Sequence, residues 1–236
     1  MEKIRDDYKT LVSFWDKAFE VNSDDKKKII DDINPDEDYK DMAPSLKQYD
    51  ALKLFKDKKN VLDYGCGSGW ASIIMAKNGC EKVDAVDVSS NSVELTNLYA
   101  SAFKVSNMVN TRCIDEKWLA QQKDDTYDGF FSSNVIDVVP LPMALEIIRE
   151  SVRVVKSGAT VIYSLNYYVE PKVMEERGCT VSGNQIYING VLRLTSLTDN
   201  EWTDIFKNYF TDINLSYYAW EGEKEERRRL FIMKKA

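Results

Sequence analysis

The ten residues Val61 to Trp70 read VLDYGCGSGW: a short apolar run, an acid at Asp63, and glycine at every second position, Gly65, Gly67 and Gly69. The run suits a buried strand, and the following WASIIMAKNG suits a helix closed by Gly79. Glycines at such a turn serve left-handed backbone angles or a ligand that approaches the main chain closely. A phosphate cradle of the P-loop kind ends in Gly-Lys-Ser/Thr, but here Trp70 follows Gly69 and the next basic residue is Lys77. A dinucleotide loop spaces its glycines G-x-G-x-x-G, whereas this chain has G-x-G-x-G with tryptophan at position 70. Asp63 would repel an anionic group and attract a ligand with a cationic end.

Outward from the loop, strand and helix patterns alternate. KVDAVDVS is a second strand, followed by a helix opened by Ser89 or Ser90; MVNTRCID is a third strand and YDGFFSSNVI a fourth. The next helix carries the apolar stripe Ala144, Leu145, Ile148, Val152 and Val155, with Gly158 as its stop, and TVIYSLNYY is a fifth strand. This alternation predicts an α/β fold with a doubly wound parallel sheet, whose ligands bind beyond the carboxyl ends of the strands. Residues about 166–196 interrupt it with two turn signals, Ser182-Gly183-Asn184 and Asn189-Gly190, and read as an inserted hairpin-like cap. A helix with a Thr198/Glu201 capping box follows, then DINLSYYAWEG and RRRLFIMKK as an antiparallel C-terminal pair. The expected sheet is seven-stranded and mostly parallel.

Residues 1–57 read as an N-terminal helical cap, and 58–236 as the α/β domain. Tyr8, Leu11, Phe14, Trp15 and Phe19 share one helix face, while the acidic, polar text from 22 to about 50, broken by Pro35 and Pro44, reads as mobile or ligand-ordered. The net charge of -7 argues against nucleic acid or an anionic membrane as partner. No apolar stretch approaches the roughly 20 residues of a bilayer span. Four scattered cysteines, Cys66, Cys80, Cys113 and Cys179, and no basic-plus-apolar leader point to a reducing cytoplasm; a monomer or homodimer is the expected state. The chain has no histidine, which excludes Ser-His-Asp catalysis and histidine-ligated zinc; no metal is expected.

S-adenosylmethionine has a sulfonium, an amino-acid tail and a nucleoside, and no phosphate. VLDYGCGSG resembles the first motif of the Rossmann-like, class I S-adenosylmethionine-dependent methyltransferases, and the family's later stations follow in order over about residues 58–165. The resemblance implies loop contacts from Asp63, Gly65, Cys66, Gly67 and Gly69. It implies that Asp87 receives the ribose hydroxyls, that Val88 lies on the adenine, and that Asp115, beside Glu116, takes the adenine amino group. Asn134, in TYDGFFSSNVID, would sit at the methionine end, and VVKSGATVIYS resembles the family's LKPGG turn with Ser157 in place of proline. Taken singly, Asp87 also reads as a solvated strand end, and Asn134 as a turn residue.

The resemblance implies direct in-line methyl transfer to a small-molecule nitrogen, oxygen or sulfur. Tyr8, Trp15, Tyr39, Tyr167 and Tyr168 are candidate walls of the acceptor pocket. In the ubiquinone-biosynthesis type, which this region resembles, the fourth strand runs into a Glu-His pair before a proline; here IDVVPLP has Asp137 for the acid and Val138 for the histidine. Asp137 is therefore the candidate base or orienting group, unless the acceptor needs no deprotonation. Rival readings are an NAD-dependent oxidoreductase on the same fold and a catalytically silent S-adenosylmethionine-binding protein.

Overall fold

The computed structural model describes residues 2–236. Three helices come first, α1 (Glu2–Ala18), α2 (Ser23–Asp32) and α3 (Leu46–Leu52). The alternating region is β1 (Val61–Tyr64), α4 (Trp70–Lys77), β2 (Val83–Asp87), α5 (Ser90–Ala102), β3 (Val109–Cys113), β4 (Tyr127–Ser133), α6 (Leu141–Val154) and β5 (Val155–Leu165). Next come α7 (Pro171–Glu176), β6 (Thr180–Ser182), β7 (Gln185–Ile188) and β8 (Val191–Thr195), then α8 (Asp199–Phe206), β9 (Phe210–Tyr218) and β10 (Arg228–Lys235).

Among the described residues the main sheet has seven strands in the order β3-β2-β1-β4-β5-β10-β9. Its first five strands are parallel, and β10 and β9 are antiparallel. The strand order reverses between β1 and β4, which opens a crevice above their carboxyl ends. Alternation sends neighbours to opposite faces: Phe130 and Tyr163 meet Trp202 and Phe206 of α8 on one side, while Phe131 and Ile162 meet Ile74 and Met75 of α4 on the other. The inserted segment forms a separate antiparallel sheet, β6-β7-β8. Asn189 and Gly190 turn its second hairpin, both at positive φ (52° and 77°), the requirement of a type I′ turn.

Three expectations change. The segment from 22 to 50 is docked: Asn22 accepts from the N–H groups of Asp24 and Asp25 to cap α2, and Ser45 caps α3. Both prolines fall between helices, so the two short helices fit, and buried Gln48 donates to Ser164 Oγ at 2.9 Å. The α6 stripe runs through Ala144, Ile147, Ile148, Ser151 and Val154, while Leu145 is exposed. Gly158 does not stop that helix; it lies inside β5, where Tyr127 faces Val155 but Gly129 faces Thr160, so a bulge absorbs the intervening residues. Among the described residues no helix is long and apolar enough to cross a membrane.

Candidate functional site

The β1–α4 loop bends through three left-handed glycines, Gly65, Gly67 and Gly69, with φ of +78°, +55° and +79°. The N–H groups of Gly65 and Cys66 both donate to the Val86 carbonyl, at 2.8 and 3.0 Å, which ties the loop to the end of β2. The three positions serve different neighbours. A Cβ on Gly65 would stand 2.2 Å from Val135 Cγ2, and one on Gly69 2.6 Å from Thr96 Cγ2. A Cβ on Gly67 would stand 3.1 Å from the ring of Phe19, just after α1, on the crevice side. Two glycines therefore admit adjoining elements, and one keeps the crevice open.

Asp63 does not line that crevice. It is buried behind the loop, where its Oδ2 accepts from Ser72 Oγ at 2.5 Å, tying β1 to the first turn of α4. The expected meeting of this acid with a ligand's cationic end becomes a tie within the fold. Burial pushes its carboxyl up to about 7, against the Ser72 hydrogen bond. An acid with a raised folded pKa costs stability as pH rises from its unfolded to its folded value. Unfolding free energies of wild type and Asp63→Asn should therefore diverge in the variant's favour as pH rises from about 4 to 7. Parallel urea curves at both ends of that range would refute the assignment.

Asp87, at the end of β2, lines the crevice. Its two oxygens accept from the N–H groups of Gly67 and Ser89, each at 2.9 Å. Burial raises its pKa, and the Ser89 and Gly67 hydrogen bonds oppose the rise. Val88, Ile114 and Glu116 continue the wall, whereas Asp115 is not part of it and instead accepts from the Lys117 N–H at 3.0 Å. Asn134, at the end of β4, lines the crevice with φ +55°, and its buried Nδ2 has no hydrogen-bond partner. A strained, unsatisfied amide is the kind of group a ligand completes.

The crevice is a cavity of about 590 Å³. Tyr8, Leu11 and Trp15 of α1 and Phe19 just after it border it, as do Val138 and Val139 and the α6 residues Pro142, Met143, Glu146 and Ile147; Pro44 and Trp220 are also in its wall. Among the described residues its charged lining residues are Asp87, Glu116 and Glu146, with no lysine or arginine. The α6 residues escaped the sequence reading, although the first turn after a central strand is placed by this topology beside the crevice.

A strand, a left-handed glycine loop, and a carboxylate that closes the next strand against the loop's own N–H meet at the crevice. Residues 61–158 match the family described as Methyltransferase domain. This stretch, from β1 into β5, is similar to a methyltransferase domain. The ubiquinone biosynthesis O-methyltransferase of Neisseria meningitidis is 30% identical over 152 residues, 64% of this chain and 56% of that one. The chain thus spans about half the length of that curated relative. The solved MccD protein superposes with a TM-score of 0.63 at 16% identity, covering 81% of this chain and 97% of that one. Geranyl diphosphate C-methyltransferase from Streptomyces coelicolor does so at 0.61 and 12%, covering 80% and 78%. At such identities the superpositions establish the shared fold.

The residues expected to wall the acceptor pocket separate. Tyr8 and Trp15 reach the cavity, and burial followed by the charges of Glu116, Asp115 and Asp87 drives the Tyr8 phenol upward, so it remains a donor. Tyr39 packs elsewhere, with Lys77 Nζ 5.7 Å from its ring centroid. Tyr167 lies under the Arg227 guanidinium at 4.4 Å, and Tyr168 donates to Glu170 at 2.6 Å. Asp137 is buried outside the cavity lining, and its Oδ2 accepts from Asn166 N and Nδ2 at 2.7 and 2.9 Å. That placement argues against the expected base role, because no acceptor in the cavity would meet its carboxylate.

An acid of α1 itself holds the helix to the domain. Asp16 Oδ1 accepts from Ser89 Oγ at 2.8 Å, Ser90 Oγ at 3.2 Å and Asn91 N at 3.1 Å, which caps α5 from outside. The Asn91 N–H and then the Ser89 hydroxyl hold its carboxyl below the usual range. This latch is complete above the ordinary Asp pKa and is lost as pH falls through the lowered value. Asp16→Ala should cost about 0.5–2 kcal/mol, as for a lost helix cap, and should speed amide exchange along α1. Unchanged exchange there would remove the latch.

Proposed function

We propose that this chain transfers a methyl group from S-adenosylmethionine to a small apolar acceptor that is neutral or cationic. The observation that carries the reading is the Asp87 carboxylate, held at the cavity wall by the Gly67 and Ser89 N–H groups. In this reading Asp87 receives the ribose hydroxyls, because an ionised carboxylate has lone pairs left for two further donors. Val88 and Ile114 flank the adenine, and Glu116 rather than Asp115 takes its amino group. Gly65, Cys66, Gly67 and Gly69 shape the loop around the amino-acid tail, with the free Asn134 amide beside it. S-adenosylmethionine supplies a methyl group on a sulfonium that leaves as a neutral thioether. The chain's part is to orient, exclude water and match charge, and orientation alone contributes about 7–11 kcal/mol to such reactions.

Residues 1–57 act as a lid whose α1 aromatics roof the cavity, with residues 166–196 as a second cap beside it. With Asp137 sealed away and no histidine in the chain, the acceptor brings a nucleophile that needs no protein base, such as an amine, thiol or thioether. Among the described residues the lining is acidic and holds no cation, which favours such acceptors over phosphates and carboxylates. The oxidoreductase reading fails at Trp70, which opens α4 and lines the cavity where a dinucleotide loop has its third glycine. Calorimetry with S-adenosylmethionine, S-adenosylhomocysteine and NAD tests the cofactor: heat from the first two alone is expected, and heat from NAD alone overturns it. A methyl-transfer screen over amines, thiols, phenols and carboxylates tests the chemistry. Tight cofactor binding with no product from any acceptor would favour a silent binder.

A further inference from the structure

One side of the cavity ends in a thin wall with a second hollow behind it. Pro44 and Trp220 line both the main cavity and an adjoining surface groove of about 400 Å³. Trp220 follows β9 in the turn to β10, above the carboxyl end of β5 and thus across the sheet from Asp87 and Glu116. Its position is determined by a chain of polar contacts that begins deep in the fold. Asp137 Oδ2 holds Asn166 through the main-chain and side-chain N–H groups, and Asn166 Oδ1 accepts from Arg228 Nη1 at 2.7 Å. The buried Arg228 guanidinium grips Glu223 through Nε and Nη2 at 2.8–3.1 Å, and lies 3.3 Å from the centroid of the Trp220 ring. Glu223 in turn accepts from the Trp220 N–H at 2.9 Å. The indole is thus held at its face and at its backbone.

We propose that Trp220 is the residue that limits acceptor length, and that Asp137, Asn166 and Arg228 are positioning residues that hold it across the cavity. The inference rests on the methyltransferase reading for the word acceptor, and on the shared wall for the rest. Behind the indole, the groove offers Leu46, 74% exposed, as a further apolar surface. An apolar chain that reaches the wall in the wild type would run on into that groove once the indole is gone.

The test titrates primary n-alkylamines, butylamine through decylamine, into the full chain with and without saturating S-adenosylhomocysteine. In the wild type, affinity should rise about fourfold per added methylene and then stop at the length that meets Trp220. In Trp220→Ala the rise should continue for several further carbons, while Trp220→Phe keeps the wild-type limit. Arg228→Lys, which keeps the charge but loses the planar fork and the stacking, and Asn166→Ala should shift the limit the same way. An identical limit in wild type and Trp220→Ala, or no uptake by either, overturns the wall. A shift in Trp220→Ala alone overturns the positioning role of Arg228 and Asn166, and with it that of Asp137, which reaches Trp220 only through Asn166. S-adenosylhomocysteine affinity, read in the same titrations, should be the same in wild type and Trp220→Ala; its absence in both would overturn the methyltransferase reading while the length limit is still read from the amine alone.

Discussion

Asp87→Ala should raise the dissociation constant for S-adenosylhomocysteine by about 100-fold or more, since hydrogen bonds to a charged group contribute about 1.5–3 kcal/mol each and two ribose hydroxyls lose their acceptor. The loss extends beyond the ligand. The Gly67 and Ser89 N–H groups both donate to this carboxylate, so its removal frees the crown of the glycine loop and the turn into α5 together. Asp87→Asn keeps the shape and should show a smaller loss, because one amide edge then faces an N–H. Burial raises the Asp87 pKa, so wild-type affinity should also fall on acidification earlier than for an ordinary aspartate, and this sensitivity should vanish in Asp87→Asn. Calorimetry across pH reads all three effects. An affinity within threefold of wild type in Asp87→Ala would remove the carboxylate from the ligand site.

Gly65→Ala should be the most damaging single-methyl change in the loop. The residue sits at φ +78°, and the new Cβ would stand 2.2 Å from Val135 Cγ2. Left-handed strain costs about 1–3 kcal/mol and overpacking about 1–3 kcal/mol. For a chain of this size the sum corresponds to a Tm drop of about 5–15 °C. Val135 follows Asn134, itself at φ +55° on the cavity wall, so relief by moving Val135 would displace that amide as well. Cofactor affinity should therefore fall with stability. A variant that keeps both would mean that the loop tolerates the methyl by a shift the packing does not suggest.

Much of this molecule is written in local signals. The apolar run of β1, the glycines before α4, the Thr198/Glu201 capping box and the Asn189-Gly190 turn each impose a backbone geometry that a few neighbouring residues satisfy, and each is found in place. Asp87 is legible for the same reason: a strand of known length ending one crossover after the loop has its last residue beside that loop. The acids one or two positions away were not separable by such reasoning. Asp115 and Glu116 are adjacent, and only the course of the chain after β3 puts Glu116 in the wall.

The failures share a cause. Asp137 is the expected base or orienting group, yet it is buried outside the cavity lining, with its Oδ2 held by Asn166, a residue far along the chain, and its Oδ1 without a partner among the described residues. Tyr39, Tyr167 and Tyr168 are as aromatic as Tyr8 and Trp15, and face elsewhere because of Lys77, Arg227 and Glu170. Pro142, Met143 and Trp220 carry no motif at all. By itself, the amino-acid order determined the doubly wound sheet, the turn chemistry and the acid that meets the glycine loop at the end of β2, because periodicity and left-handed backbone demands act over a few residues. Which side chains bound the cavity was decided only by tertiary packing, because that boundary is set by surfaces brought together from distant parts of the chain.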